Sequence, residues 1–426
     1  MTTSTTFHDL DLIKPIMRAL DENHYITPTP IQLSAIPSLL EGRDLLGVAQ
    51  TGTGKTAAFS LPILQHLFTT KHALKPRTAR ALVLAPTREL AIQIAENCLA
   101  YSKYLDLNQT TIYGGVNQKR QVKMMGKGVD LLIATPGRLL DLMQQGYVDL
   151  GSVSHLILDE ADRMLDMGFI HDIKKIMAEI PKKRHTLLFS ATMPSSINKL
   201  ANSLLNNPKT VEVTPEVVTV EKIKQSLYRV AKQDKRALLV TLLENKDISK
   251  GIIFSRTKHG ANRIVKELDS AGITSAAIHG NKSQSARQRA LSAFKDGEIR
   301  LLVATDIAAR GIDVDNITHV INYDLPAEAE SYVHRIGRTA RAGTQGTALS
   351  FCDETEGKVL KAIERLIKFE IDTVQTPELK RAAPKPQGSK AGGSQDRNVT
   401  SHKRNSNMPK NYQTPKNFRR PTKGCK

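Results

Sequence analysis

The chain has 426 residues, of which 40% are hydrophobic and 24% charged, and its formal net charge is +19. Such a composition supports folded cores in roughly two or three domains, and a basic excess of this size calls for an anionic partner, nucleic acid first and a membrane surface second. No apolar run reaches the roughly 18–20 residues that span a bilayer, the opening MTTSTTFHDLDL lacks the basic-then-apolar pattern of a secretory signal, and Cys98, Cys352 and Cys425 are too scattered for a zinc site or a disulfide framework, which favours a reducing, cytoplasmic setting.

Along the chain, short β-branched runs alternate with longer helical patterns. In the first half the predicted strands are 44–48, 81–85, 110–113, 130–134, 155–158 and 186–189. Several, such as ALVLA and LLIA, are apolar almost throughout, as strands are when a parallel sheet is covered on both faces. Helical spacing separates them, as over 88–102. Between the first strand and a helix starting near Lys55 lies AQTGTGKT, residues 49–56. Its stretch Thr51, Gly52, Thr53, Gly54 can curl so that backbone N–H groups face an anion at a helix N-terminus. Lys55 would reach the β- and γ-phosphates of a nucleotide and the Thr56 hydroxyl would bind Mg²⁺. Ala49 stands where the generic phosphate-loop pattern has its first glycine. Further on, HLILDEAD (155–162) sets Asp159 at the end of an apolar strand, where a second Mg²⁺ ligand is needed, with Glu160 beside it to polarise an attacking water.

The pattern restarts after Asn206-Asn207-Pro208. A first domain over 1–208 is followed by 209–220, a stretch with Pro215 and no helical period that reads as a last strand and a linker. A second domain over 221–372 has predicted strands at 251–254, 275–278, 300–304, 319–322 and 347–351. Two successive doubly wound α/β domains follow, with ligands expected beyond the carboxyl ends of the strands. In the second domain HRIGRTAR (334–341) holds three arginines in eight residues. If they point at the phosphate loop of the first domain they neutralise charge on the γ-phosphate, an effect of order 10³–10⁵ in rate, or about 4–7 kcal/mol. Residues 373–426 carry thirteen Lys and Arg against two acidic residues, +11 of the total, and almost no aliphatic side chains. They are expected to form a disordered basic tail.

Taken together, these stretches resemble the DEAD-box RNA helicases of superfamily 2 from about residue 7 to 368, and 159–162 spell the family name. The compact body and basic tail look like those of the bacterial RhlE-type subgroup. The resemblance implies two RecA-like domains and an ATP-dependent, Mg²⁺-requiring RNA helicase. It implies that Gln32 in PTPIQ (28–32) reads adenine with the donor and acceptor of one amide, and that Phe7 stacks on the base. Gly311 and Asp313 would contact the nucleotide, Asp313 at the ribose. Arg338 and Arg341 align with the arginine fingers and Arg335 with a structural contact, while Ala340 replaces the usual glycine. Ser190 and Thr192 would couple nucleotide state to RNA through Asp162 and His334.

The implied RNA contacts are Thr87 and Arg88 in PTREL, Gly114 and Gly115, Thr135 and Arg138 in TPGR, Arg256, Gly280, Gln284, Arg287 and Thr305. Such residues donate to phosphates and 2′-hydroxyls rather than base edges, so little sequence specificity is expected. The implied cycle is a clamp: ATP and RNA close the cleft, one strand bends, a few base pairs open, and hydrolysis releases them. The expected partner is single-stranded or short duplex RNA, with no membrane, for a monomer working in settings such as ribosomal or RNA-decay assemblies. A DNA helicase, or an annealing protein in which ATP only gates a clamp, would use the same two-domain engine; Gln32 and the DEAD spelling argue against the first.

Overall fold

The computed structural model describes residues 5–50, 52–70, 72–213, 223–245, 247–309, 314, 316–340 and 346–379. Its first lobe holds β1 (Leu45–Val48), β2 (Ala79–Leu84), β3 (Gln109–Ile112), β4 (Val129–Ala134), β5 (His155–Leu158), β6 (His185–Ser190) and β7 (Lys209–Glu212). They form one sheet in the order β3-β4-β2-β5-β6-β1-β7, with every pairing parallel. The unbroken apolar runs have a direct cause. Ala81 and Val83 of β2 enter one core with Leu187 and Phe189 of β6, while Leu82 and Leu84 enter another with Leu158 and Leu188. Helices cover both faces, so both sets of alternating side chains leave water.

The second lobe repeats the plan with β8 (Ile223–Arg229), β9 (Gly251–Phe254), β10 (Ser275–Ile278), β11 (Leu301–Ala304), β12 (His319–Asn322) and β13 (Gly346–Cys352). These are ordered β10-β11-β9-β12-β13-β8 and again parallel throughout. The chain is thus two doubly wound parallel-sheet domains in tandem.

Two boundaries differ from the sequence reading. β8 was not among the predicted strands, because IKQSLYR mixes polar and apolar residues without strict alternation. It is an edge strand whose seven residues pair with β13, and polar Gln225 accepts a hydrogen bond from the buried Tyr332 hydroxyl at 2.8 Å. Residues 373–379, placed with the tail on composition, run along the open side of β8. Thr373 bridges Leu227, and Val374 N–H donates to Leu227 O at 2.9 Å. Covering a sheet edge takes backbone groups rather than aliphatic side chains, so composition carries no mark of it. Residues 214–222 and 380–426, which include most of the expected linker and tail, lie outside the described residues.

The loops at the carboxyl ends of β9 and β12 are fixed by a buried ion cluster. Lys235 is 1% exposed and its Nζ lies 2.7 Å from Glu356, 3.0 Å from Asp353 and 3.8 Å from Asp324. Glu356 also pairs with Arg256 at 2.7 Å and accepts from Leu325 N–H at 3.0 Å. Removing one partner of such a cluster leaves uncompensated buried charge. Lys235→Ala should therefore cost about 3–5 kcal/mol of stability, read as a lower midpoint in urea unfolding of the full chain.

Candidate nucleotide and nucleic-acid site

A cavity of about 290 Å³ opens beside the phosphate loop. The loop leaves β1 and turns into the helix Lys55–Thr69. Gly52 and Gly54 sit at φ +88° and +91°, a left-handed backbone that glycine adopts without steric cost. At Gly54 space is the second constraint: a Cβ there would fall 2.5 Å from Gln32 Nε2 and 2.9 Å from Thr29 Oγ1. Gln32 Nε2 donates to Gly54 O at 3.1 Å and its Oε1 accepts from Thr29 N–H at 2.8 Å. The glutamine thus sets the loop's shape from a position on the cavity wall. Thr53 Oγ1 donates to Gln50 O at 2.8 Å, and Lys55 Nζ, buried, donates to Ala49 O at 2.8 Å.

The aromatic wall differs from expectation. Phe7 is 1% exposed, and its N–H donates to Ile26 O at 3.4 Å. It packs edge-on against Tyr25 with ring centroids 6.0 Å apart, and Tyr25, not Phe7, lines the cavity. Phe7 therefore braces the aromatic surface rather than offering its own face. Tyr25 is in turn held by a 2.9 Å hydrogen bond between its hydroxyl and that of Tyr101. Its signal in the sequence was an aromatic residue seven positions before Gln32.

Two adjacent carboxylates close the phosphate end. Asp159 follows β5, and its N–H donates to Leu84 O at 3.0 Å. Burial pushes its carboxyl up to about 6 against the opposing pull of Lys55. Glu160 is buried too, and burial acts in the same upward sense. Yet Arg163, Lys55 and Arg338 together hold it below the ordinary range. Glu160 sits at φ +51°, ψ +53°, a strained backbone for a side-chain-bearing residue and one that clusters at functional sites. It is ion-paired to Arg163. Asp159 and Thr56 share the cavity and present a carboxylate and a hydroxyl, the oxygen donors that suit Mg²⁺. A carboxyl held near 6 by burial is one that a divalent cation would return to its ionised form.

Asp162 Oδ2 accepts from Ala191 N–H at 3.1 Å, Thr192 N–H at 2.9 Å and Thr192 Oγ1 at 2.9 Å. Ser190 Oγ donates to Thr192 O at 2.7 Å, and Ser190 O accepts from Ala49 N–H at 3.0 Å. The segment after β6 is thereby tied to both the acidic loop and the phosphate loop.

From the second lobe come His334 and Arg338, which line a small recess with Phe254, Asp306 and Arg335. Arg338 is buried, its Nε donates to His334 O at 3.3 Å, and its charge acts on Glu160 across the lobes. Arg335 is bound into its own lobe, to Asp306 at 2.6 and 2.8 Å, Asn322 Oδ1 at 3.1 Å and Asp324 O at 2.6 Å. Ala340 takes φ +55°, the left-handed conformation that a glycine would adopt freely. Thr51, Gly311, Asp313 and Arg341 lie outside the described residues.

On the nucleic-acid side, Thr87 caps the helix Arg88–Tyr101 by accepting from Leu90 N–H at 3.3 Å. The Arg88 guanidinium lies on Gly114 and Gly115, where a Cβ on Gly115 would fall 2.1 Å from Nη1. Arg88 Nη1 also donates to Gln284 Oε1 at 3.4 Å, Gln284 Nε2 donates to Glu89 Oε1 at 3.0 Å, and Arg287 pairs with Glu89 at 2.9 Å. Three expected RNA contacts thus join the two lobes, with Glu89 as the shared acceptor that the sequence reading missed. Thr135 precedes the helix Pro136–Gln144. Within it Arg138 pairs with Asp141 at 3.4 Å, and its buried Nη1 has no hydrogen-bond partner among the described residues. Arg256 is engaged by Glu356, Gly280 is open to solvent, and Thr305 N–H donates to Ile278 O at 3.4 Å.

The sequence matches the DEAD/DEAH box helicase family over residues 29–200 and the helicase conserved C-terminal domain over 234–343. It is 46% identical over 374 residues to the ATP-dependent RNA helicase DeaD of Escherichia coli (strain K12), a match covering 88% of this chain and 59% of that protein. The chain therefore spans about three-fifths of the curated relatives' length. Among solved structures it is similar to S. cerevisiae Dbp5 bound to RNA and ADP BeF3, with 33% identity, a TM-score of 0.77 and coverage of 87% of this chain and 96% of that one. A DEAD box protein from the hyperthermophile Methanococcus jannaschii is 38% identical, with a TM-score of 0.51 and coverage of 87% and 99%. With these matches over both lobes of the fold, this chain belongs to the DEAD-box helicase family.

Proposed function

We propose that the chain is an RNA-stimulated ATP hydrolase that uses lobe closure to separate short RNA duplexes or remodel RNA–protein complexes. The reading is supported by the cavity that Glu160 lines with Lys55, Thr56 and Asp159, and by the buried Arg338 of the second lobe, whose charge adds to those of Arg163 and Lys55 in holding the Glu160 carboxyl below its ordinary range. The phosphate site is completed across the cleft. Lys55 would exchange its bond to Ala49 O for phosphate oxygens. Glu160, kept ionised by three cations, would orient water. Arg338 would meet charge as it develops on the terminal phosphate. Asp159 and the Thr56 hydroxyl would hold Mg²⁺, whose charge would offset that of the nucleotide phosphates. Arg341 and the nucleotide contacts Gly311 and Asp313 are proposed on family resemblance.

RNA is the proposed partner because Arg138 Nη1 and Arg287 Nε keep N–H groups without a hydrogen-bond partner among the described residues, and because relatives of this fold are found with RNA and a nucleotide analogue bound. The +11 segment over 373–426 would add affinity for phosphate backbone without sequence preference. A cytoplasmic monomer acting in ribosomal or RNA-decay assemblies is proposed on family resemblance alone; Cys98 and Cys352 are free and buried.

ATP turnover measured with single-stranded RNA and with single-stranded DNA tests the substrate class. RNA should stimulate by at least about tenfold while DNA of the same sequence does little; equal stimulation would assign the engine to DNA. Glu160→Gln should leave ATP affinity within a few fold and lower turnover by roughly 10²–10⁴. Loss of nucleotide affinity with turnover per bound ATP intact would remove Glu160 from the water-orienting role.

A further inference from the structure

The amino-terminal ends of the central strands of the first sheet, opposite the phosphate loop, carry a cluster that the ATP-driven chemistry leaves unused. His155 and His185 are the first residues of β5 and β6, and the parallel register sets them side by side. His66, near the end of the helix Lys55–Thr69, completes a triangle with ring centroids 5.5, 5.6 and 6.1 Å apart. One ligating nitrogen from each ring lies within 4.8 Å of the other two.

Hydrogen bonding fixes which nitrogen is spare. His66 Nε2 meets Leu40 O at 3.1 Å and His185 Nε2 meets Arg43 O at 2.6 Å. A carbonyl only accepts, so both Nε2 atoms carry the proton. Ser154 Oγ lies 3.2 Å from Arg80 O and 2.9 Å from His155 Nδ1; with its one proton on Arg80 O, the hydroxyl accepts from His155 Nδ1. The remaining nitrogens, His66 Nδ1, His155 Nε2 and His185 Nδ1, keep their lone pairs. His185 is 8% exposed, and its Nδ1 is buried with no hydrogen-bond partner among the described residues.

Three acceptor nitrogens held by carbonyl and hydroxyl partners, with no donor among them, describe a metal site with its supporting hydrogen bonds already made. We propose that His66, His155 and His185 bind one divalent transition-metal ion of the zinc class, with water at the fourth position on the partly exposed His66 side. Zn–N bonds of about 2.0–2.1 Å in a tetrahedron set the donors roughly 3.4 Å apart, a modest inward turn for rings that each place one nitrogen within 4.8 Å of the others. Imidazole donors select Zn²⁺, Cu²⁺ or Ni²⁺ over Mg²⁺, so this site is chemically distinct from the oxygen-rich one at Thr56 and Asp159. An ion here ties the end of the helix that begins at Lys55 to the strand that leads into Asp159, stiffening the floor of the nucleotide cavity from below.

The test is a Co²⁺ titration of the full chain after chelator treatment, followed by visible absorbance, with Zn²⁺ as competitor. One Co²⁺ per chain should give the strong absorption of a four-coordinate site and be displaced by Zn²⁺. Asp159→Asn should leave this binding unchanged, and His66→Gln should weaken it by at least about tenfold. Zn²⁺ should raise the melting temperature of the parent chain and not that of His66→Gln. If His66→Gln lowers the metal-free melting temperature, His155→Gln takes its place in the comparison. Weak binding by the parent chain, or equal binding by the histidine variants, overturns the site.

Discussion

Two neighbouring carboxylates, Asp159 and Glu160, are buried at the end of one short strand, and the rest of the structure is organised around making that tolerable. Unpaired buried charge costs several kcal/mol. Here Lys55 opposes the upward push on Asp159, and Arg163, Lys55 and Arg338 together hold Glu160 ionised. Lys55 and Arg163 belong to the same lobe as the carboxylates, whereas Arg338 does not. The electrostatic balance of the first lobe is therefore completed by the second. A site arranged this way is sensitive to lobe position by construction, because Coulomb terms in a desolvated cleft weaken steeply once water enters.

The second tie between the lobes is the group of Arg88, Glu89, Gln284 and Arg287. It stands on the nucleic-acid side, on residues with spare capacity to meet a phosphate backbone: Arg287 Nε is buried without a hydrogen-bond partner among the described residues. Between the two ties runs a short relay inside the first lobe. Ala49 of the phosphate loop bonds Ser190 O, Ser190 bonds Thr192 O, and Thr192 bonds Asp162, two residues past Glu160. Both ligands of the proposed cycle thus bear on the same cleft, one through arginine and carboxylate at the phosphates and one through arginine and glutamate at the backbone.

Much of this was legible in the sequence, for identifiable reasons. The central strands showed themselves because both faces of each sheet are covered, which leaves uninterrupted apolar runs. The phosphate loop showed itself because Gly54 meets both a backbone and a packing constraint. What escaped was set by neighbours distant in sequence. β8 is an edge strand and lacks the apolar run. Tyr25 displaces Phe7 from the cavity wall because the short helix Phe7–Asp9 is packed into the core, a matter of tertiary placement. Glu89, which carries no motif role in PTREL, stands in the first turn of its helix and binds the other lobe. The His66, His155 and His185 group is invisible to spacing, since only the register of β5 on β6 brings it together.

The central claim is that a cation from the second lobe completes the phosphate site of the first, and RNA-stimulated ATP turnover of Arg338→Ala measures it most directly. Turnover should fall about 10³-fold or more, with ATP binding held within a few fold because the first lobe still grips the nucleotide. Turnover within twofold of the parent chain would contradict it.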